Sequence, residues 1–373
     1  MVYTIRHMRL GVFAALVAGS IVPGDVSIDG GRVTGVGLLP AAAAGLAAPG
    51  FVDLQVNGFA GVDFVAADAA GYARAGAALA GTGVVAYQPT FISSPVAACV
   101  AAIARLGTLD GTPLGPRVLP AHLEGPFLSR VQHGAHNPEY LLAGDTALAD
   151  ALCAAGPVGY VTVAPEIDYG LELIEHLAGR GVVISLGHSD ADGDTAIAAF
   201  DRGARAVTHI FNAMRRWAAR DPGLPGVALS RSDVFVTAIV DNIHLAPETG
   251  RLLIAAVGDR LVLITDAIEA AGRGDGLYRL GDRAVHVRGA EARLADGTLA
   301  GSVLSMDQAV RNLVSLGASL EFALAAASRN PARLLRRDDL GELQVGGPAD
   351  IVVLDDRLEV RRTLVGGAEV YAA

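Results

Sequence analysis

Short apolar runs recur along most of the chain, separated by alanine-rich stretches long enough for a helix. From Pro49 onward, eight of these runs have the length and composition of buried strands. They cover residues 50–56, 84–89, 118–123, 159–164, 182–186, 206–209, 235–240 and 261–265. Eight alternating strand and helix units predict an α/β fold, a parallel (β/α)8 TIM-like barrel.

Both ends of the chain have a different pattern, with shorter runs and more turn residues. Residues 16–22, 25–28 and 32–36 are predicted as strands, with a hairpin turn at Asp29-Gly30-Gly31. Residues 350–354 and 360–365 are predicted as strands near the other end. We expect residues 1–48 and 341–373 to pair into a small β-sandwich domain, with residues 49–340 forming the barrel.

Between the last barrel strand and the tail, the pattern predicts three further elements. Residues 276–287 are typical of a β-hairpin insertion, and residues 305–316 and 319–335 of two helices.

The beginning of the chain has two interpretations. Arg6, His7 and Arg9 precede the apolar run of residues 11–19, as in a short signal peptide. Removing that run would delete the first predicted strand, so we favour a cytoplasmic protein. No apolar run approaches the length of a membrane span.

Composition narrows the class of protein. Of the 373 residues, 52% are hydrophobic and 18% charged, which is typical of a well-packed globular enzyme. The net charge of −10 argues against a nucleic-acid partner but permits a phosphorylated small substrate bound by a few arginines. The sequence contains no lysine, which excludes a carboxylated lysine that bridges two metals. Cys99 and Cys153 are too few and too far apart for a zinc site.

Polar residues with metal-binding capacity follow the ends of the predicted strands, where barrel enzymes carry their chemistry. They are Glu124, His188, His209, His244 and Asp266. Two histidines and one carboxylate suit a zinc-like ion with an open position for water. A further carboxylate would act as general base and then as acid toward the leaving amine, and Asp266 is the candidate.

The first barrel strand indicates how many metals the site holds. Gln55 and Asn57 are two residues apart and therefore face the same way. Neutral amides are poor zinc ligands, so these positions favour a site with a single metal.

Eight motifs, in order and at strand ends, resemble the N-acetylglucosamine-6-phosphate deacetylase family of the amidohydrolase superfamily over nearly the whole chain. They are residues 49–58 (PGFVDLQVNG), 122–127 (HLEGPF), 134–138 (GAHNP), 163–166 (VAPE), 187–189 (GHS), 208–214 (THIFNAM), 264–267 (ITDA) and 298–302 (TLAGS). The resemblance implies hydrolysis of the acetamide of N-acetylglucosamine 6-phosphate, in amino-sugar catabolism and cell-wall recycling.

The resemblance also implies a role for each matching residue. Glu124, His188 and His209 match ligands of one divalent metal, Zn²⁺ first and Fe²⁺ or Mn²⁺ as alternatives. Asp266 matches the catalytic acid and base, and His136 a residue that binds substrate and polarises the acetyl carbonyl. The other matches to substrate contacts are Asn212, the Ala213 backbone, His244, Leu299 and Arg220. The arginine matching Arg220 reaches the phosphate from a neighbouring subunit, so a homodimer is implied.

Three other polar residues near these motifs are expected to have supporting roles outside the chemistry. We expect His122 to support the site from behind, Glu166 to position a loop, and His133 to be a solvated loop residue.

The sequence departs from the family at Arg215-Arg216-Trp217, where extra positive charge could alter substrate choice. N-acetylgalactosamine 6-phosphate or another N-acylated sugar is therefore an alternative substrate. A non-catalytic barrel that binds sugar phosphates is an alternative of a different class.

Overall fold

The structure, a computed structural model, describes residues 8–109 and 115–373, so Arg6 and His7 of the possible leader lie outside the described residues. Within the described residues, six short strands precede the barrel. They are β1 (Met8–Arg9), β2 (Ala14–Val17), β3 (Ser20–Pro23), β4 (Asp25–Asp29), β5 (Arg32–Leu38) and β6 (Leu46–Pro49). The predicted turn between β4 and β5 is confirmed, with φ of 56° and 78° at Gly30 and Gly31, values that glycine adopts without steric cost.

Eight parallel strands form a barrel, which confirms the predicted fold. In chain order the strands of this part are β7 (Phe51–Val56), β8 (Gly58–Phe59), β9 (Val62–Asp63), β10 (Val84–Ile92), β11 (Arg117–Val118), β12 (Ala121–Glu124), β13 (Val158–Val163), β14 (Val183–Leu186), β15 (Ala206–Val207), β16 (Phe235–Ala238) and β17 (Leu261–Leu263). Strands β8, β9 and β11 are additions to the eight. Each barrel strand pairs with the next, and a parallel bridge from Val56 to Ala267 joins the last strand to the first.

Helices connect the barrel strands and cover the outside of the barrel. They are α1 (Ala69–Ala80), α2 (Val96–Gly107), α3 (Thr146–Ala155), α4 (Gly170–Gly179), α5 (Gly193–Asp201), α6 (Gly223–Ser230), α7 (Pro247–Val257), α8 (Met306–Ser315), α9 (Leu320–Ala327) and α10 (Arg329–Leu334). Asp68, Asp145 and Asp192 cap the first turns of α1, α3 and α5 by accepting backbone N–H bonds. None of the described helices has both the length and the apolar character of a membrane span.

The predicted hairpin insertion is a sheet of three antiparallel strands between β17 and α8. Its strands are β18 (Gly276–Leu280), β19 (Arg283–Arg288) and β20 (Glu291–Arg293). Leu280 and Val285 of this small sheet pack against Ile92 at the end of β10 and against Ala135 of a barrel loop. The insertion therefore forms one wall of the barrel mouth.

Strands from both chain ends meet in one sheet. The last strands are β21 (Ile351–Leu354), β22 (Val360–Val365) and β23 (Ala368–Ala372), and β21 pairs antiparallel with β6. The six-stranded sheet has the order β23-β22-β21-β6-β2-β3. It shares an apolar cluster with the β1-β4-β5 sheet, as in a small sandwich. The division of the chain at residues 48 and 341 stays a prediction.

Two sequence predictions were wrong in detail. Residues 16–22 are not one strand, because Ala18 and Gly19 turn with φ of 49° and 80° and separate β2 from β3. Residues 319–335 are not one helix, because the chain breaks at Ser328 between α9 and α10. Pro331 lacks the N–H that would bond to residue 327 in a continuous helix.

The junction between β6 and β7 yields a stability prediction. Gly50 is buried, and a β-carbon at this position would clash with both methyl carbons of Val85. We expect Gly50→Ala to lower the free energy of unfolding by about 1–3 kcal/mol, because overpacking forces the strands apart. Urea denaturation would measure it. Gly179→Ala is the control, since Gly179 ends α4 with open space around it. Equal stability of the two variants would contradict the prediction.

Candidate active site

Three side chains from three strand ends converge at the carboxyl edge of the barrel. Glu124 ends β12, His188 follows β14, and His209 follows β15. The Glu124 Oε1 atom lies 2.9 Å from His209 Nε2 and 3.3 Å from His188 Nε2, and the two imidazole nitrogens are 3.2 Å apart. One ligand atom from each residue lies within 4.8 Å of the others, and all three residues are buried. The predicted ligand candidates therefore form one cluster.

The backbone at these residues is in the left-handed region, which non-glycine residues rarely adopt. His188 has φ of 47°, His209 of 32° and Asp266 of 50°. Such strain persists only where surrounding contacts hold it, and it is concentrated at functional sites. Here the His209 N–H donates to Thr237 Oγ1 at 2.8 Å, and the Asp266 N–H donates to the Gln55 carbonyl at 2.9 Å.

The protonation of His188 suits a metal ligand. Its Nδ1 lies 3.0 Å from the carbonyl oxygen of Gln132, which can only accept, so Nδ1 carries the proton and Nε2 presents a lone pair. Burial lowers the pKa of His188 to about 4 and keeps the ring neutral. The cluster of two imidazoles and one carboxylate therefore fits a divalent cation.

The charge of Glu124 is held by its neighbours. Burial alone would raise the pKa of this carboxyl, but the neighbouring imidazoles of His136, His188 and His209 outweigh burial and hold the pKa well below its usual value. The carboxylate is therefore ionised, as a metal ligand must be.

Asp266 lies beside the cluster and is held by two side-chain amides. Asn57 Nδ2 donates to Asp266 Oδ1 at 2.7 Å, and Gln55 Nε2 donates to both Asp266 Oδ1 at 3.2 Å and Glu124 Oε1 at 2.9 Å. Burial and the charge of Glu124 raise the pKa of Asp266 to about 6. A carboxylate with this pKa can take up and release a proton near neutral pH.

The sequence analysis missed Asp53, which supports the segment that carries Asp266. Its Oδ2 accepts from Thr265 Oγ1 at 2.6 Å and its Oδ1 from the Thr265 N–H at 3.2 Å, so it holds the residue before Asp266. Burial raises the pKa of Asp53 to about 7. Its spacing of two from Gln55, which puts both on one strand face, is the signal that could have revealed it.

His136 offers a hydrogen-bond donor to the pocket. The Ser93 N–H donates to His136 Nδ1 at 3.3 Å, so Nδ1 carries a lone pair and the neutral ring holds its proton on Nε2. That Nε2 lies 3.7 Å from Glu124 Oε2, next to the cluster.

For His122 and Glu166, the hydrogen bonds are consistent with the supporting roles expected from the sequence. Both ring nitrogens of His122 are bonded inside the barrel, Nδ1 to the Leu54 carbonyl and Nε2 to Thr162 Oγ1. Glu166 accepts from Ser189 Oγ and from the Asp190 N–H, which fixes the loop after His188. His133 differs, because it lines the pocket and its Nδ1 bonds to the His136 carbonyl.

A cavity of about 370 Å³ opens above the cluster. Four of the predicted substrate contacts other than His136 line it, namely Asn212, Ala213, His244 and Leu299. The Nδ1 of His244 bonds to Asp241 Oδ2 at 2.7 Å, which orients its ring. The cavity thus combines the cluster at its base with polar groups along its side.

Arg220 does not line this cavity in its own chain. It is exposed on the loop between Arg215 and Pro222. Arg215 bonds to Asp221 at 3.0 Å and to Asp190 at 3.3 Å, so its charge is partnered and braces the base of that loop. Trp217 is half exposed and also lies outside the cavity lining.

Comparison with known proteins gives the same family by sequence and by structure. The sequence model of the Amidohydrolase family matches residues 46–370. The N-acetylglucosamine-6-phosphate deacetylase of Rattus norvegicus is 41% identical over 303 residues, which are 78% of this chain and 74% of that protein. The N-acetylgalactosamine-6-phosphate deacetylase of Escherichia coli O157:H7 is 38% identical over 291 residues, 76% of this chain and 77% of that protein.

Among solved structures, a variant N-acetyl-D-glucosamine-6-phosphate deacetylase from Mycobacterium smegmatis, in complex with N-acetyl-D-glucosamine-6-phosphate, superposes with a TM-score of 0.94 at 36% identity. The match covers 99% of this chain and 100% of that one. The N-acetylglucosamine-6-phosphate deacetylase from Thermotoga maritima gives a TM-score of 0.91 at 29% identity, with 98% and 100% coverage. By sequence and by fold, the chain belongs to the N-acetylglucosamine-6-phosphate deacetylase family of amidohydrolases.

Proposed function

We propose that the chain hydrolyses the acetamide of N-acetylglucosamine 6-phosphate, giving glucosamine 6-phosphate and acetate, as a step in amino-sugar catabolism and cell-wall recycling. The observation that carries the proposal is the placement of Asp266 beside the Glu124, His188 and His209 cluster, bonded to Asn57 at the base of the cavity. The names of the relatives supply the substrate.

Glu124, His188 and His209 would hold one divalent metal, with Zn²⁺ favoured over Fe²⁺ and Mn²⁺ because two imidazoles and a carboxylate are typical zinc ligands. Bound there, the metal would polarise the acetyl carbonyl and lower the pKa of water. Gln55 and Asn57 support a site with a single metal, because their amides donate hydrogen bonds to the carboxylates.

Asp266 moves the proton in this mechanism. Its carboxylate takes a proton from the attacking water and then delivers it to the nitrogen of the departing amine. Asn57 and Gln55 donate to Oδ1, which leaves Oδ2 as the oxygen that carries the proton. The raised pKa of Asp266, due first to burial, supports both halves of this transfer.

His136 polarises the substrate from the other side. Its Nε2–H donates to the acetyl oxygen and stabilises the negative charge that develops there. The lone-pair state of Nδ1, set by the Ser93 N–H, keeps that proton on Nε2.

The sugar phosphate would lie along the polar side of the cavity, against Asn212, the Ala213 backbone, His244 and Leu299. Arg220 would reach the phosphate of a partner subunit in a cytoplasmic homodimer. Its exposure and its lack of an ion pair among the described residues leave it available for that contact. A barrel that only binds would not need an acid and base beside the cluster, so catalysis is favoured.

The role of Asp266 can be tested with Asp266→Asn. The asparagine oxygen can still accept from Asn57, so metal binding should be retained, while turnover falls by about 10²–10⁴-fold because the proton acceptor is lost. Acetate release and metal content per subunit would be measured together. Near-normal turnover would remove Asp266 from this role.

Removal of the metal should abolish the activity. A chelator should stop acetate release from N-acetylglucosamine 6-phosphate, because without the metal the carbonyl is no longer polarised. Added Zn²⁺ should restore the release. His209→Asn should lower metal content, whereas the exposed His286→Asn should not.

The galactose epimer and the unphosphorylated sugar are assayed in parallel. Faster release from the epimer would change the assigned substrate, and chelator-resistant release would refute the metal role.

Arg220→Gln should raise KM for the phosphorylated substrate on the order of 10-fold or more, since a charge-assisted hydrogen bond is lost. The exposed Arg251→Gln is the matched control.

Mixed dimers test whether Arg220 acts across the interface. A dimer of one Asp266→Asn subunit and one Arg220→Gln subunit should keep about half of the wild-type kcat/KM, because a symmetric interface then gives one complete site of two. If Arg220 acted within its own chain, the one subunit with Asp266 would lack Arg220, and kcat/KM would be no higher than in the Arg220→Gln homodimer.

A further inference from the structure

We propose that Ile92 and Leu280 form an apolar wall that limits the length of the N-acyl chain and restricts the enzyme to acetyl-sized groups. This inference rests on the proposed function and adds a specificity determinant to it.

Ile92 lies directly beside the cluster. It is the last residue of β10 and is paired in parallel register with Glu124 on β12, so the two side chains point to the same side. It is 4% exposed and lines the cavity. The next residue, Ser93, holds His136 through its N–H. Ile92 therefore adjoins both groups that would grip the acetyl carbonyl.

Leu280 completes the wall from the small inserted sheet. It ends β18, is 6% exposed, lines the same cavity and shares an apolar cluster with Ile92 and Ala135. The insertion is tied to the loop of His136, because Asn137 Nδ2 donates to Asp282 Oδ2 at 2.9 Å. The position of Leu280 is thus linked to that of His136.

The side chain of Ile92 is closely packed from behind, so the wall can shift little. A β-carbon built on Gly281 would lie 3.0 Å from Ile92 Cδ1, so the insertion's backbone already packs against the isoleucine. Gly281 has φ of 59°, which suits glycine and permits this close approach. A longer acyl chain would have to displace packed backbone, since close-packed interiors yield little.

The order of strands indicates that the acyl group points toward this wall. Ile92 is on the second barrel strand, β10, and His209 follows the sixth, β15, so the two lie across the barrel from each other. Asn212 and Ala213 follow His209, and His244 follows the seventh strand. With the sugar against these residues, the other substituent of the carbonyl faces the opposite side, where Ile92 and Leu280 lie.

The test measures kcat/KM for the N-acetyl, N-propanoyl and N-butanoyl derivatives of glucosamine 6-phosphate. Wild-type enzyme should favour acetyl over butanoyl. Ile92→Ala and Leu280→Ala should raise the butanoyl-to-acetyl ratio on the order of 10-fold, the discrimination typical of methylene-sized differences in an apolar pocket. Ile92→Val, which removes one methyl group and perturbs folding least, should shift the ratio in the same direction.

Ile239→Ala is the matched control. Ile239 is equally buried, lines the cavity and follows the seventh strand, on the side of the sugar contacts. It should change the rates for all acyl lengths in the same proportion and leave the ratio unaltered.

The outcomes separate this inference from the function beneath it. Acetate release by wild type with no shift of the ratio in Ile92→Val or Leu280→Ala would overturn the acyl wall alone. The wall would also be overturned if wild type hydrolysed the butanoyl substrate as fast as the acetyl one. No acetate release from metal-replete wild type would overturn the proposed function and the wall with it.

Discussion

The site depends on one side-chain amide that serves two buried carboxylates. Gln55 Nε2 donates to Glu124 and to Asp266, which brings two like charges together in a buried place. Their environments push the pKa values apart, since the neighbouring imidazoles hold the pKa of Glu124 well below its usual value, while burial and the charge of Glu124 raise the pKa of Asp266 to about 6. Because the two pKa values differ, Glu124 suits the role of a ligand and Asp266 that of an acid and base.

The barrel makes this pairing possible through its closure. Gln55 lies on the first strand and Asp266 in the segment that follows the last one, and the two segments meet at the bridge from Val56 to Ala267. Asp53 strengthens the joint by accepting from the hydroxyl and the N–H of Thr265. The same contacts that close the barrel therefore set the distance between Asp266 and the cluster of Glu124, His188 and His209, so stability and the geometry of the site are linked where the barrel closes.

Sequence alone predicted the eight strands and the polar residues at their ends, because buried parallel strands produce apolar runs and the carboxyl edge is where they stop. The sequence predictions missed the turn at Ala18 and the break at Ser328, although Gly19 and Pro331 are local signals for them. They also missed Asp53 and His133. The bonds from Thr265 to Asp53 and the pocket around His133 join segments that lie far apart in the sequence.

The sheet shared by both ends of the chain also bears on biosynthesis. The Arg362 side chain donates a hydrogen bond to the carbonyl of Leu10, 352 residues away in the sequence, and β6 pairs with β21. On the ribosome, β6 is made long before β21, so one of its edges stays unpaired while the barrel is being translated. Unpaired strand edges invite association with other chains. The nascent protein therefore carries an unpaired β6 edge until its last strands emerge, and protection of that edge by chaperones would matter until then.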